Sequence, residues 1–218
     1  MCKMLFVSGI KLVILDFDGV IVESNDIKDQ ALRKIFNRYP DKFDELWQYH
    51  RTHVSLSRYA KFDYLLEKIG QPGNLSLKNK LLADFSETTL KLMKSVSFVA
   101  GAKYFLQDME DRLPLYLASV TPIEDLAIIL DNLNIRSFFK EIYGCPPWNK
   151  MDAIRDILVR EDASPQEAVL IGDSYGDQRA ALETGIHFIG RDSGLGFEEP
   201  LPAFIIPDLV DAAKLFKN

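Results

Sequence analysis

Residues 12–15, Leu-Val-Ile-Leu, form an unbroken apolar run that stops at Asp16. A short run without polar alternation is the pattern of a strand buried on both faces, as in the middle of a parallel sheet. Comparable runs recur at Leu115–Ala118, Ala168–Ile171 and His187–Ile189, with a shorter one at Glu141–Tyr143. Stretches with helical spacing separate them: Ile123–Leu133, Lys150–Val159 and Gln178–Glu183. Strands that alternate with helices predict βαβ units and an α/β fold with a doubly wound parallel sheet. Thr121-Pro122 opens one helix, and Gly185 closes another that begins near Asp177.

Residues 25–95 break this rhythm. They hold no strand-like run. Apolar side chains recur at helical spacing in Ile27, Ala31, Leu32 and Ile35, and again in Tyr59, Phe62, Leu65, Leu66 and Ile69. Tyr39-Pro40, residues 52–57 and Gln71-Pro72-Gly73 separate the pieces. The expected organisation is a core from residues 1–24 and 96–218, with a helical insert over 25–95. Val99-Ala100-Gly101 marks the return to the core, where Gly101 begins a helix.

With 218 residues, 47% of them hydrophobic, the chain has enough apolar material for such a core. The formal net charge is −6 and no Lys/Arg-rich block appears, which argues against a nucleic-acid backbone as partner. Cys2 and Cys145 stand in no Cys/His pattern, so zinc is not indicated, and reduced thiols with a cytoplasmic address are expected. The N-terminal apolar residues are interrupted by Lys3 and Lys11, so no signal peptide is expected. No stretch approaches the ~20 apolar residues of a membrane span. Oligomeric state leaves no trace in the chain.

Ligands of open α/β sheets bind at the carboxyl ends of the strands, so the residues that follow each apolar run carry the chemistry. After the first come Asp16-Phe17-Asp18-Gly19-Val20, a carboxylate pair suited to a cation or, equally, an Asp-Gly turn. After the second comes Ser119-Val120-Thr121, a hydroxyl and backbone N–H that suit phosphate oxygens or a helix cap. Lys150 follows the third, at a helix start where the helix dipole disfavours a cation unless an anion is near. Gly172-Asp173-Ser174-Tyr175-Gly176-Asp177 follows the fourth. Asp173 is placed to share a cation with Asp16. Asp177 suits a helix cap, the metal's water shell, or a bond to Lys150.

This order of residues resembles the haloacid dehalogenase superfamily. The resemblance rests on Asp16-Phe17-Asp18-Gly19-Val20, Ser119, Lys150 and the run from Gly172 to Asp177, and it extends over essentially the whole chain. The insert is similar to the small helical cap of phosphoglycolate phosphatases and β-phosphoglucomutases. The resemblance implies a phosphatase in which Asp16 is the nucleophile and Asp18 the general acid and base. It implies Mg²⁺ held by Asp16, the Asp18 carbonyl and Asp173, with Asp177 beside it. Gly19, Ser119, Val120 and Lys150 would bind the phosphoryl group of a small phosphorylated metabolite. An aspartate at position 18 selects phosphoryl transfer over dehalogenation within that superfamily. A phosphomutase would share every one of these residues, and a non-catalytic binding protein on the same fold is the remaining alternative. Pro146-Pro147-Trp148-Asn149-Lys150 departs from the superfamily's common Gly-Lys-Pro. Lys150 is chosen because no other lysine lies between Lys140 and Lys214.

Specificity would reside in the insert. Arg58 is the candidate for an anionic group of the substrate, with Lys61, His50, His53 and Glu23 nearby. Arg58 and Lys61 read equally well as solvated helix residues, and the two histidines as surface or packing residues.

Overall fold

A computed structural model describes residues 9–216. Cys2, and the apolar N-terminal residues before Gly9, lie outside the described residues. The elements in chain order are β1 (Leu12–Leu15), α1 (Asn25–Phe36), α2 (Phe43–Thr52), α3 (Arg58–Lys68), α4 (Leu75–Met93), α5 (Ala102–Glu110), β2 (Leu115–Ser119), α6 (Ile123–Leu133), β3 (Glu141–Gly144), α7 (Lys150–Arg160), β4 (Ala168–Gly172), α8 (Tyr175–Thr184), β5 (His187–Arg191), β6 (Ile205–Ile206) and α9 (Leu209–Leu215).

Contacts divide the chain into two units, one made of residues up to 23 and from 97 onward, the other of Ser24–Val96. In the first, six strands form one sheet in the order β3-β2-β1-β4-β5-β6, and every adjacent pair is parallel. Leu12, Ile14, Tyr116, Ala118, Tyr143 and Leu170 pack on one face against Ala153, Ile154 and Ile157 of α7 and Ala180 and Ala181 of α8. Val13, Leu15, Leu117, Val169 and Ile171 alternate with them and are as deeply buried. Both faces are therefore covered, which is why these strands are apolar throughout. The chain reverses direction across the sheet between β1 and β4, the switch point at which such sheets open a crevice.

The second unit holds α1 to α4 around its own core of Leu32, Ile35, Phe36, Leu46, Phe62, Leu65, Leu66, Leu81 and Phe85. Ser57 caps α3 by accepting from the Ala60 N–H, and Asn74 caps α4 by accepting from the Leu77 N–H. Each cap satisfies an amide that the helix itself leaves unpaired, typically worth about 1 kcal/mol.

Several boundaries differ from the sequence-based expectation: β2, β3, β4 and α7 each run one residue further. The last helix before Gly185 begins at Tyr175, because Ser174 and Asp177 form a capping box. The strand expected over 187–189 runs on through Gly190 and Arg191. β6 adds a two-residue edge strand beside β5 that was not expected. No helix among the described residues is long and apolar enough to cross a membrane.

Candidate active site

Parallel strands bring their carboxyl ends to one edge of the sheet, and the strand-end residues meet there. β1 is paired with β4 so that Leu15 faces Ile171, and the Asp16 N–H continues the ladder by donating to the Ile171 carbonyl (2.9 Å). Asp16 and Asp173 thus stand on either side of the switch point. Asp16, Asp173 and Asp177 are all buried, with one carboxylate oxygen of each within 4.8 Å of the others.

Gly172 makes this crowding possible. A Cβ there would lie 2.3 Å from the Asp177 Cβ and 2.6 Å from its Cγ, so only glycine lets Asp177 fold back over the strand end. Asp177 Oδ2 accepts from the Ser174 hydroxyl (2.7 Å) and from the backbone N–H groups of Ser174 (3.1 Å) and Asp173 (3.2 Å). Its Oδ1 accepts from Lys150 Nζ. Asp177 therefore combines two of its expected roles, as a helix cap and as the partner of Lys150, while lying within the acid cluster.

Lys150 opens α7, as expected, and its ammonium lies between Asp177 and Asp16, 3.0 Å from Asp16 Oδ1. Burial alone would lower its pKa, but the carboxylates of Asp16 and Asp177 outweigh that and hold it above the ordinary lysine range. The same anions offset the unfavourable helix dipole. Asp16 is perturbed the other way. Burial pushes its carboxyl up to about 8. Lys150 opposes that, and repulsion from Asp177, Asp173 and Asp18 adds to it. Among the described residues, Lys150, with Nζ 3.0 Å from Asp16 Oδ1, is the one cation beside three clustered carboxylates. Three buried carboxylates that face one another with a single lysine to offset them fit a divalent cation with oxygen ligands.

Asp18 is held apart from the three clustered carboxylates. The chain turns sharply after Phe17, with Gly19 at φ +71°. Asp18 Oδ2 accepts from the Thr121 hydroxyl (3.0 Å). An oxygen-rich cation would thus find the side chains of Asp16, Asp173 and Asp177, whereas Asp18 was expected to contribute only its backbone carbonyl. Ser119 ends β2, buried, with its Oγ accepting from the Thr121 N–H (3.1 Å). Val120 lies between them. The sequence marked Thr121 only as a helix start. Its position two residues after Ser119, on the loop that faces the first acid pair, is the signal that was available.

The second unit corrects the solvated reading of its polar residues. Arg58, Lys61 and His50 are buried. Arg58 donates to Ser86 Oγ (2.7 Å) and its guanidinium lies over the Phe85 ring. Asp29 Oδ1, His50 and Lys61 form a chain. Asp29 is 2.8 Å from His50 Nε2, and Lys61 Nζ is 3.1 Å from His50 Nδ1 and 3.1 Å from the Val54 carbonyl. Burial, with Lys28 adding to it, lowers the Lys61 pKa to about 7. His53 stacks on Tyr49. No sequence pattern signalled this chain, because its three members come from α1, α2 and α3.

With the fold and this site in view, the chain belongs to the haloacid dehalogenase-like hydrolase family, whose model matches residues 13–191. It is 25% identical over 182 residues to a phosphorylated carbohydrates phosphatase of Thermotoga maritima, covering 81% of this chain and 82% of that one. Over 89 residues it is 32% identical to a phosphoglycolate phosphatase of Pseudomonas putida. That match spans 37% of this chain and only 33% of the relative's length. Among solved structures, a haloacid dehalogenase-like hydrolase of Streptococcus pneumoniae shares the fold with a TM-score of 0.72. It is 22% identical, and the match covers 96% of this chain and 100% of that one.

Proposed function

We propose that this protein is a Mg²⁺-dependent phosphatase that hydrolyses a small phosphorylated metabolite, a sugar phosphate or phosphoglycolate-like acid, through an aspartyl phosphate on Asp16. The observation that carries the proposal is the arrangement around Asp16. Its buried carboxylate stands in a cluster with those of Asp173 and Asp177, and its Oδ1 lies 3.0 Å from Lys150 Nζ. The names of the two relatives, one a phosphatase of phosphorylated carbohydrates and the other of phosphoglycolate, support the substrate class.

In this mechanism the Asp16 carboxylate attacks phosphorus, forming a new P–O bond as the P–O bond to the leaving alcohol breaks. Asp18 gives its proton to the departing oxygen. It then takes a proton from the water that attacks the aspartyl phosphate, releasing phosphate and restoring Asp16. The Ser119 hydroxyl and the Val120 N–H bind phosphoryl oxygens, and Gly19 lets the backbone approach them closely. Lys150 balances charge on nucleophile and phosphoryl group. Mg²⁺ would be held by Asp16, the Asp18 carbonyl and Asp173, with Asp177 beside them. It would supply positive charge to the phosphoryl oxygens. Choice of the leaving group is assigned to the helical unit, with Arg58 as the residue for an anionic group of the substrate.

The test is a screen of phosphorylated metabolites with wild type and Asp16→Asn. Mg²⁺-dependent release of inorganic phosphate, abolished in Asp16→Asn, is the expected outcome. Conversion of a sugar monophosphate to its isomer without phosphate release would replace the phosphatase by a phosphomutase. Undiminished turnover in Asp16→Asn would reject the nucleophile.

A further inference from the structure

One ion pair in the sheet-bearing unit, a buried arginine with an exposed glutamate, has no part in the chemistry above. Arg191 is the last residue of β5, two strands from β1 in the sheet, and it is buried. Its guanidinium reaches the loop that follows β1. Nη1 donates to the Gly19 carbonyl (3.1 Å) and to Glu23 Oε2 (3.0 Å), and Nη2 donates to Glu23 Oε1 (2.5 Å). Nε donates to the Pro207 carbonyl (3.1 Å), which fixes the fork from behind.

The loop so held is the one on which Asp18 stands. It is a tight turn. The N–H groups of Ile21 and Val22 donate to the Phe17 carbonyl (2.9 and 3.3 Å), and the Gly19 N–H donates to the Val22 carbonyl (2.8 Å). At its far end the Glu23 N–H donates to the Ser97 carbonyl (2.9 Å), where the chain re-enters the sheet-bearing unit. Beyond these local bonds, the Val99 N–H donates to the Ile21 carbonyl (3.0 Å) and the Thr121 hydroxyl to Asp18 Oδ2 (3.0 Å). Arg191 ties the loop to the end of β5 at two further points, the residue next to Asp18 and the last residue of the loop. A bidentate pair fixes orientation as well as distance, which a lysine's single point charge does not.

We propose that Arg191, with Glu23, is a positioning residue for Asp18, holding the loop so that the Asp18 carboxyl meets the leaving-group oxygen. The inference rests on the phosphatase assignment, in which Asp18 is the general acid. Neither residue touches the phosphoryl group in this role.

A loss of proton donation has a signature that general loosening does not share. p-Nitrophenolate departs with little need for a proton. Phenolate, whose conjugate acid has about the pKa of tyrosine, about 10, needs one far more. The value of kcat/KM reports the steps up to departure of the alcohol. In Arg191→Ala, kcat/KM for phenyl phosphate is expected to fall roughly tenfold further than for p-nitrophenyl phosphate, within the range general acids contribute. Guanidinium ion added at millimolar concentration is expected to restore part of the phenyl phosphate activity. Arg191→Lys should show the same bias in weaker form. Equal losses on the two esters, or no loss, would overturn the proposal. If Arg191→Ala does not fold, judged by its thermal melt, Glu23→Gln is read by the same ratio and the same criterion. Asp16→Asn measured alongside separates the two levels. Undiminished turnover there defeats the phosphatase assignment, whereas abolished turnover with an unbiased Arg191 variant defeats only the role of Arg191.

Discussion

Replacing Lys150 by methionine tests the electrostatics of the site most sharply. Methionine keeps an unbranched apolar stem and removes the charge. Lys150 Nζ lies 3.0 Å from Asp16 Oδ1 and is bonded to Asp177, and none of the three side chains is more than 10% exposed. At an effective dielectric constant of ~20, one such pair at 3 Å interacts with about 5–6 kcal/mol before desolvation is counted. Deleting one partner of a buried pair, leaving the other charge uncompensated, typically costs about 3–5 kcal/mol. Here two carboxylates lose their partner, with Asp173 close by. Lys150→Met is therefore expected to lose about 3–5 kcal/mol in urea unfolding carried out in EDTA. Excess Mg²⁺ should recover more stability in the variant than in wild type, because more uncompensated negative charge awaits it. Turnover of p-nitrophenyl phosphate should fall by about 10²–10³, the usual effect of removing one electrostatic donor to a developing charge. An unchanged unfolding midpoint in EDTA would refute the premise that Lys150 compensates the buried carboxylates.

Two further expectations follow from neighbouring geometry. Thr121→Val removes the hydroxyl that donates to Asp18 Oδ2. It should cost about 1–3 kcal/mol in thermal or urea melts, since a buried acceptor loses one donor. Phosphate release should fall about tenfold, the low end of a general acid's contribution, and wild-type turnover would sink the link. In the helical unit, burial lowers the Lys61 pKa from 10.5 to about 7. Between those values the folded chain binds fewer protons than the unfolded one, so stability is lost as pH falls from 10.5 towards 7. The shift corresponds to about 5 kcal/mol at ~1.4 kcal/mol per pH unit. Lys61→Met abolishes that slope, although His50 Nδ1 and the Val54 carbonyl each lose a donor at about 1–3 kcal/mol. Urea titrations of the two proteins across this range should converge or cross, and parallel curves would contradict the burial cost.

What could be read from the chain, and what could not, follows from the range of the interactions. β1, β2 and β4 were visible because burial on both faces leaves their runs at 12–15, 115–118 and 168–171 without a charged residue. The residues at their ends were visible for the same reason, since Asp16, Ser119 and Asp173 are where the apolar runs stop. α6 was placed residue for residue by the Pro122 start and its apolar spacing. α4 was not singled out, because it buries one narrow stripe of Leu81, Phe85, Thr89 and Met93, with a threonine inside it. β6 is two residues long and pairs only with β5, too short for any periodicity. Thr121 and Lys61 owe their roles to partners distant in sequence, Asp18 for the first and His50 with Asp29 for the second. Arg191 escaped notice because the run at 187–189 was taken to end at Ile189. The strand carries on through Gly190, against whose missing side chain the Phe197 ring packs, and so delivers Arg191 to the strand end.

The central claim is that the Asp16 carboxylate becomes covalently bonded to phosphorus during turnover. Rapid acid quench during hydrolysis, followed by reduction with tritiated borohydride and peptide mass spectrometry, tests it at the level of the residue. An acyl phosphate on Asp16 is reduced to homoserine, so label is expected at position 16, and none is expected when substrate is omitted. Label on another carboxylate, or undiminished turnover with no labelled residue, would contradict the account and point to direct attack by water.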